Sequence, residues 1–170
     1  AYDMTLFIMA ALLVVGFFTC GFQLAFLVTH LPTYLHLCGM PPDLAAWALA
    51  VVGGFNIIGS YAAGQLGARL PPHLVLAGIY LVRGAAILAF FLAPKSEAGT
   101  LVFAAVMGVT WLGTVPLTST VIARLFGVAN LGMLYGVAFL SHQVGSFLGA
   151  WAAALWEQIG LNRAEVMPHL

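Results

Sequence analysis

Long apolar stretches separated by short polar punctuation run through the whole chain. No formal charge falls between Asp3 and Asp43, a stretch of 39 residues. Charge-free stretches of 25, 26 and 32 residues follow, between Asp43 and Arg69, Glu97 and Arg124, and Arg124 and Glu157. Residues 70–94 are interrupted only by Arg83. A helix crosses the hydrocarbon core with about 20 apolar residues, so each window holds one span. The pattern predicts five spans, near residues 6–31, 44–67, 74–92, 100–123 and 131–156. Strands are excluded because lipid cannot satisfy an open edge, and no segment shows the two-residue alternation of a barrel strand.

The breaks carry their own chemistry. Gly39-Met40-Pro41-Pro42-Asp43 ends one helix and offers Asp43 as a cap for the next. Pro71-Pro72 forbids a continuous helix. Residues 94–99 form a short polar turn, and residues 124–130 another short connection. Short loops make successive helices antiparallel and leave no room for an extramembrane domain. Residues 1–157 are therefore expected to form one helical bundle. Residues 158–170 are expected to be a polar tail, too short for a sixth span. Ala1 is not an initiator Met, and the first apolar segment is longer than a signal peptide and has no basic leader. Both ends read as cut.

Composition agrees with a bilayer setting. Hydrophobic residues make up 63% of the 170 and charged residues 6%, against roughly 25% charged in soluble domains. A soluble fold of this size cannot hide so much apolar surface. An ordinary cytosolic enzyme, a disordered linker and a secreted disulfide scaffold are excluded. Five Lys and Arg balance five Asp and Glu, which leaves no basic patch for nucleic acid. Arg69 and Arg124 fall on one side of the membrane, Lys95 and Arg163 on the other. The first pair is placed in the cytoplasm.

The second and fifth spans share a pattern. Asn56-Ile57-Ile58-Gly59-Ser60-Tyr61 matches His142-Gln143-Val144-Gly145-Ser146-Phe147. A fainter match pairs His30-Leu31-Pro32-Thr33 with Thr114-Val115-Pro116-Leu117 in the first and fourth spans. Mates three helices apart cross in opposite directions, the arrangement of an inverted three-helix repeat as in secondary transporters. Chance similarity is the rival reading for matches this short.

Polar residues gather at one depth: Gln23, Asn56, Arg83, Trp111 and His142 each fall near the centre of a span. Midplane polarity is where such transporters bind substrate. The alternative is that Asn and Gln hydrogen-bond neighbouring helices as packing glue. Arg83 is the one formal charge deep in a span. Its insertion costs about 2.5–3.5 kcal/mol, and a structural clamp on carbonyls or polar side chains is preferred to substrate contact. His142, next to Gln143 and one turn before Ser146, has two readings. Its imidazole holds a carboxylate or a proton, or it is a neutral cross-helix hydrogen-bond partner. Pro32 and Pro116 free backbone carbonyls and either kink gating ends or distort the helices without gating. Ser141, Gly145, Gly149 and Ala153, with Gly132 and Gly136, offer small faces for close helix approach. His36 and Cys38 are two ligands and no more, so no metal site is expected.

The run Gly64-Gln65-Leu66-Gly67-Ala68-Arg69 between the second and third spans resembles the Gly-x-Leu-x-Asp-Arg loop motif of the major facilitator superfamily. Residues 21–32 and 139–151 resemble the C-terminal half of its branch related to monocarboxylate and oxalate–formate carriers. The resemblance implies an all-α membrane protein, a partial major-facilitator bundle whose five spans are helices seven to eleven of twelve. It puts the motif loop in the cytoplasm. Two departures stand out. Ala68 replaces the motif's Asp, and Pro71-Pro72-His73 its basic end. Asn56 and His142 occupy the central parts of helices where the related carriers use cationic groups.

The expected function is secondary transport of a small organic solute by alternating access. An organic anion such as a monocarboxylate is the favoured solute, with proton symport as the coupling. His142, Asn56, Gln23, Trp111 and Gln143 are the candidate substrate residues. Arg83, Arg69, Gly64, Pro116 and Pro32 are the structural or gating ones. No cofactor is called for. The partners expected are the solute, the lipid bilayer of the plasma membrane and the N-terminal half of the same transporter. A non-transporting assembly subunit or truncated gene product is the alternative. An intramembrane enzyme fits worse, because the midplane lacks paired carboxylates or a nucleophile with its base.

Overall fold

The computed structural model describes residues 2–166, with side chains described for residues 4–159. All its elements are helical: α1 (Tyr2–Leu37), α2 (Asp43–Arg69), α3 (Pro72–Leu92), α4 (Glu97–Thr110), α5 (Thr114–Phe126) and α6 (Leu131–Val166). Five stretches are long and apolar enough to cross a membrane: Met4–Leu37, Asp43–Arg69, Pro72–Leu92, Glu97–Phe126 and Val128–Ile159. They coincide with the five expected spans. The fourth is made of two helices, α4 and α5, rather than one.

Helix ends follow from backbone chemistry. Ser96 caps α4, its hydroxyl accepting the Gly99 N–H at 3.1 Å, with Glu97 in the first turn against the positive end of the helix. Lys95 closes α3 from the other side. Its ammonium donates to the carbonyls of Phe90 and Ala93 and lies 4.6 Å from the Phe90 ring centre. Gly39 (φ 72°) and Gly127 (φ 80°) take the left-handed backbone that lets the chain leave α1 and α5. Asp43 is not the cap expected of it. It is the first residue of α2; Pro42 precedes it and no side chain caps the helix. Pro41 supplies a carbonyl to the Leu44 N–H instead. The polar stretch from residue 158 is helical as far as Val166. Gln158, Leu161, Arg163 and Glu165 favour helix whatever their polarity. Residues 167–170 of the expected tail lie outside the described residues.

The chain forms two compact units, one of Ala1–Leu37 with Gly132–Leu170, the other of Cys38–Leu131. In the first, α1 and α6 run parallel. Ser141 donates to the Val14 carbonyl at 2.9 Å, Gly145 and Gly149 sit on the backbones of Phe18 and Phe22, and Phe17 meets Tyr135 edge-on. Small residues on α6 let the two backbones approach; Gly132 and Gly136 face open space and take no part.

In the second unit, α2 runs parallel to the fourth span, and α3 runs antiparallel to it. Gly59 lies on the backbone of Val109, Gly108 on Val52, and Gly113 on Ala63. Phe90 stacks on Phe103 with ring centres 4.2 Å apart. Half of the most apolar window of the fourth span is buried, against 17% for α2 and α3. The fourth span is thus the core of this unit.

The matched glycines of the second and fifth spans do the same work. Gly59 is pressed against the fourth span and Gly145 against the first, the two spans that carry the fainter sequence match. The proline match does not follow this register. Counted from the two glycine contacts, Pro116 corresponds to Ala25 rather than to Pro32.

Candidate functional site

The fourth span breaks in mid-course, and the cause is local. Pro116 has no N–H, and its ring excludes the helical position of the carbonyl four residues earlier. A regular helix through residue 112 therefore loses a backbone bond and meets a clash, and Gly113 beside it adds backbone freedom that Pro32, inside the continuous α1, lacks. The break falls at Trp111–Gly113, ahead of the proline, which sits in the first turn of α5. Tighter turns flank it: the Trp111 N–H bonds to Gly108 at 3.2 Å and the Val115 N–H to Leu112 at 3.1 Å.

A break inside a membrane strands backbone polar groups that lipid cannot serve. Here side chains from both neighbouring helices supply partners. Asn56 Oδ1 on α2 accepts the Leu112 N–H at 3.2 Å and the Ser60 hydroxyl at 3.4 Å. Arg83 on α3 is fully buried. One of its terminal nitrogens donates to the carbonyls of Thr110 and Trp111, the latter at 3.2 Å. Thr114 adds its hydroxyl to the Trp111 carbonyl at 3.3 Å. The guanidinium also lies 5.8 Å from the centre of the Tyr80 ring. A planar fork with several donors suits two adjacent carbonyls better than an ammonium would. Asn56, Arg83 and Trp111, widely separated in sequence, are thereby gathered around one interruption.

The α1–α6 unit holds the other candidates. Gln23 is half-buried on α1. His142 is half-buried on α6, its ring edge-on to Phe17 and nearly parallel to Phe139, each 5.9 Å away between ring centres. Gln143 is exposed, its Oε1 3.5 Å from His142 Nδ1.

The remaining candidates lie apart. Arg69 and Gly64 are exposed on the last turns of α2, and Gly64 has open space beside it. The glycine of this motif-like run that lies against a neighbour is Gly67, where an added Cβ would come within 2.5 Å of the Leu117 Cδ2 side-chain end and displace it. Pro32 is exposed within the unbroken α1. Reading the sequence did not single out Glu157, which closes a charge-free window and nothing more. The structure sets it opposite His30, 3.6 Å from Nδ1. No local signal pairs residues so far apart.

The sequence model of the Major Facilitator Superfamily matches residues 4–150. The chain belongs to the major facilitator superfamily. Among curated proteins it is 30% identical over 152 residues to the uncharacterized MFS-type transporter YcxA of Bacillus subtilis, covering 83% of this chain and 35% of that protein. It is 28% identical over 107 residues to the MFS transporter asaE of Aspergillus flavus, covering 63% of this chain and 24% of that protein. The chain thus spans about a third or less of the length of these superfamily relatives. No solved structure matches it. The midplane break held by Asn56 and Arg83 lies within the matched superfamily region.

Proposed function

We propose that this chain is the C-terminal half of a secondary transporter in the plasma membrane. Its solute is small and organic, and an organic anion such as a monocarboxylate suits it best. Superfamily membership and transporter-named relatives support transport rather than catalysis. The observation that carries the reading is the interrupted fourth span. Discontinuous helices near the membrane midplane are where transporters of this kind bind solute and bend during alternating access. Charge favours an anion: within α2–α5 the acids Asp43 and Glu97 open their helices at the membrane ends, so the formal charge at mid-depth is the positive one of Arg83.

In this reading Trp111 and Asn56 serve the solute at the break of the fourth span, and His142, Gln143 and Gln23 are the candidate solute residues of the α1–α6 unit taken by itself. Arg83 shapes the break and lends its field rather than touching solute. An N-terminal six-helix half completes the path.

The test is counterflow in proteoliposomes holding this chain together with a complementary N-terminal half. Labelled small carboxylates are compared with neutral solutes of equal size. Saturable exchange confined to carboxylates, and absent from the chain alone, is expected. Exchange of neutral solutes only would discard the anion. No exchange of any solute would favour the assembly-subunit role.

A further inference from the structure

His30 and Glu157 meet across the α1–α6 seam in register with three close contacts to the backbone of α1. Val14 meets Ser141, Phe18 meets Gly145, Phe22 meets Gly149, and His30 meets Glu157, all with the 127-residue offset. The His30 side chain is 9% exposed and the Glu157 side chain 28%. His30 Nδ1 and Glu157 Oε1 make no hydrogen bond to any other described group, so at 3.6 Å each is the other's polar neighbour. The imidazole sits between Phe26 and Tyr34, with ring centres 5.4 and 6.2 Å away. Glu157 lies on the same helix face as the seam contacts and is the more exposed partner, while aromatic rings cover the His30 side of the pair.

Ionisable groups inside a span are expensive and call for a use. Here the chemistry is proton binding. With a neutral imidazole beside an ionised carboxylate, the pair carries one net negative charge. A proton taken from water by the imidazole makes an imidazolium–carboxylate pair with no net charge. The neutral pair is at home in a low-dielectric seam; the anionic one is drawn toward water. We propose that His30 and Glu157 form a proton-binding site that ties α1 to α6 when loaded and loosens them when empty. The other titratable groups facing it are few. On α1 the group against it is Tyr34, and His36 is exposed further along the helix. On α6 Glu157 is the one formal charge among described side chains. The proposal deepens the transport reading by naming the coupling ion and its seat.

The test reads helix separation and needs no solute, so it fails independently of the transport reading. Spin labels are placed at the exposed positions Thr29 and Gln158 of the full chain in lipid nanodiscs, with Cys20 and Cys38 replaced by alanine. Pulsed electron paramagnetic resonance then compares about pH 5.5 with about pH 8, the range over which histidine changes charge. A short, narrow distance at the lower pH and a longer, broader one at the higher is expected. The response is lost in E157Q and in H30Q. H30K, which keeps a fixed cation opposite Glu157, holds the short distance at both. Should H30Q not insert, E157Q and H30K carry the test. An identical distribution at both pH values in the parent chain overturns the proposal, as does a response that survives E157Q.

Discussion

The Trp111 carbonyl lies 3.2 Å from the Arg83 guanidinium, at the point where the fourth span stops being a helix. A proline downstream makes the break, and a buried cation on α3 makes it tolerable in lipid. The same guanidinium serves the Thr110 carbonyl. Cation and break are therefore one feature, and removing either exposes the cost of the other.

Replacing Arg83 by leucine should destabilise the fold. The buried Thr110 carbonyl and the part-buried Trp111 carbonyl lose a charged donor, the latter keeping the Thr114 hydroxyl; a buried group left unmet costs about 1–3 kcal/mol. Thermal unfolding in detergent should show a clear drop in Tm. Lysine, with its charge but no planar fork, should restore part of it. Leucine with the parent Tm and normal insertion would remove Arg83 from this account.

Asn56 is tested by the choice of isostere. Asn56→Asp keeps an acceptor for the Leu112 N–H, whereas Asn56→Leu leaves that donor facing an apolar group. A loss of about 1–3 kcal/mol is expected for leucine; aspartate adds the separate cost of a carboxyl inside the span, so local protection rather than global stability distinguishes the two. Amide exchange at Leu112 should quicken in the leucine variant and stay slow in aspartate. Equal protection in both would show that the hydrogen bond does not hold the break.

Glycines separate by what surrounds them. A Cβ on Gly59 would overlap the Val109 carbonyl, and one on Gly145 the Phe18 carbonyl, so alanine at either position forces two backbones apart. Gly64 and Gly136 face open space. Alanine there should be neutral or stabilising by up to about 1 kcal/mol, from helix propensity. Four single variants compared by thermal unfolding settle the point. Equal effects at all four would contradict the seams described for α2 and α6.

His142→Gln should weaken solute affinity, raising KM for uptake, while leaving the pH response of α1–α6 separation intact. It keeps hydrogen-bonding capacity but loses the ability to become a cation facing an anion. Uptake kinetics and the spin-label distance are read on the same variant. A flattened distance response in His142→Gln would move the proton site from His30 and Glu157 to His142.

Much of this chain was legible from residue order. Charge spacing placed five spans, because a bilayer penalises charge and irregular backbone so heavily that sequence hydropathy has little freedom. The small-residue stripe through Gly145 marked the α1–α6 seam, since only a missing Cβ allows such an approach, whereas Gly59 read only as part of the repeat and its seam needed the fold. Other features needed the folded chain. Pro116 announced a disturbance in the fourth span, yet the break lies ahead of it, where Asn56 and Arg83 supply partners. Glu157 read as a boundary until the register of α1 on α6 put it opposite His30. Spans follow from one-dimensional hydropathy. Partnerships between helices depend on crossing register, and register is a property of packing that no local stretch of residues contains.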